Sequence, residues 1–213
     1  MSLRPGHVHA RPLISRVIAR ACRRVLSWTM LGAAACTLAG CVPAMKVAKV
    51  DPSTGFLHSE KPIAAKAERV RGERVDLSKH KDLLLVTGYT PETAKFLAAQ
   101  ISEIGVFDSV VTLRELEEQV IRHGLQDRIV SLDSQIALSR VARHYKPFLW
   151  LHPKTVREND KSYGSLVLRD AATATDLFEA RIDWSFGTSD ETFWYPLFNE
   201  LIAWVNENRQ GEE

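Results

Sequence analysis

Cysteine is scarce in this sequence and confined to one end. All three cysteines, Cys22, Cys36 and Cys41, fall within the first 41 of 213 residues. The rest of the chain is thiol-free, which excludes from it an internal disulfide, a thiolate metal site and a cysteine nucleophile. Acidic residues are also missing at the start, the first being Asp51. No apolar run reaches the ~20 residues that a spanning helix needs. Gly-x-Ser-x-Gly, phosphate-loop, His-Glu-x-x-His and Gly-x-Gly-x-x-Gly patterns do not occur. That removes the local catalytic signatures but not a site assembled from dispersed residues.

What stands at the start is ordered in three zones. Arg4, Arg11, Arg16, Arg20, Arg23 and Arg24 form a basic segment, and Val25 to Leu38 is apolar or small. Leu38-Ala39-Gly40-Cys41 follows. A basic start, an apolar stretch of roughly 14 residues and small residues before a cut site describe an export signal over residues 1–40. Leu38 to Cys41 resembles the lipobox of bacterial lipoproteins. The resemblance implies that the Cys41 sulfur receives a diacylglycerol, that the signal is cut before Cys41 and that the new amine is acylated. Two or more acyl chains anchor a protein stably. By the enterobacterial rule of that family, Asp after the Cys retains the protein in the inner membrane. Val42 stands there instead, which favours the outer membrane, facing the periplasm.

Removal of the signal changes the charge. Six of the 28 basic residues leave with it and no acids do, so 22 basic residues face 26 acidic ones, a formal charge of −4. That balance argues against a nucleic-acid partner, whose phosphates demand a basic face.

From Val42 to Lys81 no apolar period is sustained, and Pro43, Pro52 and Pro62 interrupt the segment. The sequence predicts a mobile tether over 41–81, averaging roughly 35 Å end to end; the alternative is a helical turn or two over Lys61 to Arg71. A periplasmic domain is expected over 82–209, with a polar tail at 210–213.

Within the domain, Leu83 to Val86 reads as a strand covered on both faces. Thr90-Pro91 opens a helix as N-cap and first helical residue, and Gly105 ends it. Val106 to Val111 reads as a short strand, and Thr112 to Glu115 as a capping box. Ser131 is expected to cap a helix from Leu132 to Tyr145, and Phe148 to Leu151 forms the next strand. Tyr163 to Arg169 and Leu177 to Trp184 form a hairpin around Asp170 to Asp176, the second strand alternating between faces. Thr188 to Glu191 opens a last helix with a wide apolar face. The order β-α-β-α-α-β-β-β-α predicts an α/β (α+β) fold, a mixed sheet of about five strands with helices packed on it.

This order, with its local wording, resembles the amino-terminal α/β domain of TolB and the related envelope lipoproteins CsgG and LpoB. In that family a helix leads into a strand and then a hairpin reading approximately Leu-x-Asp-Ala-x-Thr-Gly. Here the helix end is Val141 to Tyr145, with His144-Tyr145 where the family has Gly, the strand is Pro147 to Leu151, and the hairpin runs from Leu166 to Ala174, which replaces the final Gly. The resemblance covers Asp82 to Asn208. It implies a non-enzymatic module that binds other envelope proteins, with no cofactor beyond the lipid on Cys41. The alternative is an envelope enzyme or ligand carrier acting on cell-wall or lipid material.

Candidate site residues are few. Asp170, Asp176 and Asp183 supply carboxylates, although the first two flank a turn, where Asp commonly bonds local backbone. His144 and His152 are the possible metal ligands. Glu115, Glu117 and Glu118 sit in the first turns of a helix, where the dipole favours acids. Trp150 and Trp184 read as core. Trp194, Tyr195 and Trp204 exceed what one sheet-facing stripe requires, and they are the expected partner-binding residues.

Overall fold

The computed structural model describes residues 45–63, 65–129, 131–184 and 190–209. The expected signal, Cys41, Thr188-Ser189 and the expected polar tail lie outside them. The described chain forms strands β1 (Glu68–Gly72), β2 (Leu84–Val86), β3 (Val110–Thr112), β4 (Leu149–Glu158), β5 (Lys161–Asp170) and β6 (Thr175–Asp183). The helices are α1 (Pro91–Ile104), α2 (Leu113–Arg122), α3 (Gln135–His144) and α4 (Glu191–Arg209). One six-stranded sheet runs in the order β1-β6-β5-β4-β2-β3. β2 is parallel to both β3 and β4, and the other pairings are antiparallel. The fold is the mixed α/β sheet expected, with one strand more.

Local chemistry explains the elements. Thr90 accepts a hydrogen bond from the Thr93 amide and Pro91 occupies the first turn of α1, while Gly105 closes it at φ 71. The Thr112 amide and hydroxyl both donate to the Glu115 carboxylate, at 2.7 and 2.9 Å. α3 starts three residues later than expected because Ser134 caps it, its hydroxyl accepting from the Ala137 amide. Ser131 instead donates to the Asp133 side chain in a local turn. β4 runs well past Leu151 into a two-residue turn at Asn159 and Asp160, both at positive φ, the pairing geometry of tight hairpins.

Helices cover both faces of the sheet. On the first, Leu84, Val86, Leu149, Leu151, Leu166, Leu168, Phe178 and Ala180 pack with α1 and α4. Gly164 permits this contact, since a Cβ there would lie 2.3 Å from the Phe193 ring. On the second face, Leu83, Leu85, Val111 and Phe148 pack with α2 and α3.

The expected tether is not one over residues 45–81. β1 adds to the sheet as an antiparallel edge, with Arg69 opposite Ala180. Leu57, Ala67 and Leu77 are buried in the first cluster, and Met45, Ala48 and Val50 pack against it. The physical reason is on α1 and α4, whose amide side chains hold the passing backbone. Gln100 accepts from the Ala48 amide at 2.9 Å and donates to its carbonyl at 2.8 Å. Asn199 does the same for Leu57, at 2.8 and 3.0 Å. Asn208 accepts from the Val75 amide at 2.7 Å. A charged, proline-broken sequence can thus be held in place by its backbone groups, which carry no apolar period.

Candidate binding surfaces

The residues expected at an interface are in the core. Trp194, Tyr195 and Trp204 are 0%, 2% and 1% exposed. At ~100° per residue, Phe193, Leu197 and Trp204 point towards the sheet, and Tyr195 and Asn199 point away from it. The side facing away is covered by the 45–63 segment: the Tyr195 hydroxyl donates to the Lys46 carbonyl at 3.1 Å, and Asn199 holds the Leu57 backbone. Trp204 packs on Phe178 of the sheet, and its indole donates to the Glu73 carbonyl at 2.9 Å just past β1. Trp194 lies edge-on to Phe193, with centroids 4.7 Å apart. Tyr195 is therefore covered by a further layer of the same chain, whereas Trp194 packs against Phe96 of α1 and Trp204 against Phe178 of β6.

The remaining candidates separate in space. The Asp170 carboxylate accepts from the Ala172 and Thr173 amides, shaping the hairpin turn. Asp176 is bound by Arg169 through two bonds of 2.5 and 3.0 Å. Burial pushes the Asp176 carboxyl up, but the hydrogen bond and charge of Arg169 outweigh it and leave it below the usual range. Glu115 caps α2, and Glu118 pairs with Arg114 at 3.3 Å. His144 ends α3, whereas His152 lies on β4. Among the described residues no three His, Cys, Asp or Glu side chains gather as a metal site. Nor is any described helix long and apolar enough to cross a membrane.

Two surfaces are better placed. The first is the second face of the sheet beyond Phe148. The cluster under α2 and α3 reaches Trp150 and Ala172 and stops there. Beyond it, β4, β5 and β6 present half-buried Trp150, His152, Lys154, Arg169, Glu179 and Arg181. Lys154 bonds both Glu179 oxygens, at 2.8 and 3.0 Å, and Arg181 bridges Glu68 and Glu158 at 3.2 Å each. Trp150 lies against His152, with centroids 4.4 Å apart, and Arg169 sits over its ring at 5.7 Å. Trp150 packs against the margin of the second core cluster but is only half-buried, and its indole donates to Thr87 at 2.9 Å. Nε2 of His152 and Oγ of Ser165 are buried without a hydrogen-bond partner among the described residues. Burial pushes the His152 imidazole below its ordinary value of 6.5, and Arg169 and Lys154 act in the same direction.

The second surface is a crevice of about 540 Å³ at the ends of β2 and β3, lined by Tyr89, Pro91, Lys95, Thr112, Leu113 and Arg114. The chain leaves β2 into α1 on one face and β3 into α2 on the other, which opens a cleft at the carboxyl ends of the strands. Gly88 sits at its floor, where a Cβ would come within 2.4 Å of the Ala94 backbone nitrogen. Tyr89 stacks on Trp184 at 6.2 Å, and Trp184 in turn packs partly buried against Phe193.

Fold and surfaces together define an open mixed α/β sheet, roofed on one face and half roofed on the other. No family model matches the chain, and no curated protein is similar to it. Among solved structures it is similar to the LpoB C-terminal domain from Salmonella enterica, at 17% identity over 48% of this chain and 82% of that one, with a TM-score of 0.32. It is similar to PelC from Paraburkholderia phytofirmans, crystallised as a dodecamer, at 11% identity over 66% and 96%, with a TM-score of 0.34. A third likeness is to lipoprotein GNA1162 from Neisseria meningitidis, at 14% identity over 62% and 99%, with a TM-score of 0.26. At these scores no activity or partner carries over.

Proposed function

We propose that the chain is exported, lipidated on Cys41 and held in the cell envelope, at the outer membrane facing the periplasm. There its α/β domain binds other envelope proteins without catalysing a reaction. The anchoring rests on Leu38-Ala39-Gly40-Cys41 directly behind an apolar run. The binding role rests on one structural observation, the unroofed half of the sheet over β4 to β6. Its charges are largely paired with one another, and a half-buried tryptophan stands among them. A sheet surface with an aromatic anchor among paired charges has the make-up of a protein interface. The test is crosslinking of the anchored protein in its own cells, followed by mass spectrometry, with wild type and Trp150→Ala compared. Loss of the crosslinked partner in the variant supports the reading; unchanged capture removes this face from it. The second reading, a carrier or enzyme acting on lipid or cell-wall material, is favoured by the crevice beside Tyr89. It expects Tyr89→Ala, not Trp150→Ala, to abolish the cellular role.

A further inference from the structure

We infer that the layer formed by residues 45–63 is the surface on which the domain rests against the phospholipid headgroups of its own membrane. The inference depends on lipidation of Cys41 as proposed above. The chain is already fixed to the domain at its first described residues: Met45 packs on the core, the Lys46 carbonyl is held by Tyr195, and Ala48 is held through both its backbone groups by Gln100. Three residues, Val42 to Ala44, separate Cys41 from Met45. Fully extended, the four steps from Cys41 to Met45 reach at most about 14 Å. A domain spanning residues 45–209 has a radius of gyration of about 15 Å and is therefore roughly 40 Å across. A lipid on Cys41 thus holds Met45 closer to the bilayer than half the domain's width. The side of the domain that carries Met45 must face the membrane.

That side has the chemistry of an interfacial seat. Val47, Phe56 and Ile63 are 39%, 36% and 45% exposed, three of the seven large apolar side chains exposed among the described residues. The Asp51 amide donates to the Phe56 carbonyl at 2.9 Å, and the Lys46 ammonium comes within 4.0 Å of Glu60, so the layer folds back on itself. Lys46 and Lys49 point into solvent beside the apolar side chains. The acids of the layer are partly occupied: Asp51 accepts from Ser53 and lies 3.4 Å from His58. Exposed apolar side chains interspersed with exposed lysines suit a bilayer with anionic headgroups. Ile136, 69% exposed on α3, lies across the sheet in the opposite layer.

The test uses the full chain, exported and purified from cells, with Val47→Cys or Ile136→Cys as its one free thiol. Each is labelled with an environment-sensitive dye and reconstituted into vesicles of phosphatidylcholine with or without phosphatidylglycerol. Nitroxide-bearing phospholipids should quench the dye at 47 several-fold more than at 136. Lys46→Glu with Lys49→Glu should reduce that quenching in the anionic vesicles. Equal quenching at 47 and 136 in lipidated protein overturns the seat and leaves the anchor standing. An intact mass lacking the acyl chains overturns the anchor, and the seat with it.

Discussion

The two faces of the sheet are built from the same strands and finished differently. On one, α1 and α4 are themselves covered by the 45–75 segment, so α4 is buried almost all round. On the other, α2 and α3 cover β3, β2 and the start of β4, and the rest meets solvent through Arg169, Lys154 and Arg181. The difference shows that an apolar surplus on a helix and a deficit of helix over a sheet have opposite meanings. Here the surplus lies under a further layer of the same chain, and the deficit leaves part of the sheet in contact with solvent.

The most disruptive way to break this comparison is to remove the outer layer. A chain starting at Asp82 loses β1 and the burial of Leu57, Ala67 and Leu77, each fully buried leucine contributing about 1.5–3 kcal/mol. It should lose its cooperative thermal transition and bind hydrophobic dyes. An unchanged midpoint would make the segment a tether after all.

Single tryptophans sharpen the contrast. Trp204→Ala opens a cavity beside Phe178 and should cost about 3–5 kcal/mol in denaturant unfolding. Trp150→Ala, on the open face, should cost under about 2 kcal/mol of stability and about 2 kcal/mol or more of partner binding. Equal losses of stability would mean that the two faces do not differ.

The open face should also carry a pH signature. His152 holds its proton less readily folded than unfolded, because burial disfavours its charged form. The unfolded chain therefore binds more protons as pH falls below the ordinary value of 6.5. The contribution of neutral His152 is complete above 6.5 and is lost between that value and the lower folded one. His152→Gln should flatten the stability profile in that window, and a slope unchanged by the substitution would place the titration elsewhere.

The smallest effect concerns the β5–β6 turn. Ala174 has φ 64, the left-handed region in which a side chain is disfavoured by about 1–2 kcal/mol. It stands where the resembled family carries Gly, and the turn keeps a conformation that suits Gly. Ala174→Gly should raise stability by up to about 1 kcal/mol, reduced by the greater entropy of the unfolded chain. A loss of stability would show that the methyl is useful where it is.

Much of the fold was legible because its signals are local. Thr90-Pro91, Gly105 and Thr112 to Glu115 mark helix ends through hydrogen bonds that span three or four residues. The alternation from Leu177 to Asp183 reports one strand's two faces. β1 was not legible, since Glu68 to Gly72 is a charged edge strand whose partner, β6, lies more than a hundred residues away. The misreading of Tyr195 follows from the same cause, since a segment read as tether leaves the far side of α4 bare; Trp194 and Trp204 were misplaced because their contacts with Phe96 and Phe178 are set by tertiary packing. The surfaces were legible only in pieces. His152 and Trp150 were each visible, but their juxtaposition with Arg169 depends on the β4–β5 register. The crevice needed the crossover directions of two helices.

Gln100 and Asn199 each grip one residue, Ala48 and Leu57, by both its amide and its carbonyl. Such a grip senses where a peptide unit falls and is indifferent to the side chain it bears. The eight residues between the two gripped positions therefore act as a gauge. Their exposed letters can be exchanged, but a residue added or deleted must be absorbed in the turn over 52–56, or Leu57 is drawn from its socket. What the two grips read in this stretch is the spacing of peptide units, not the letters between them.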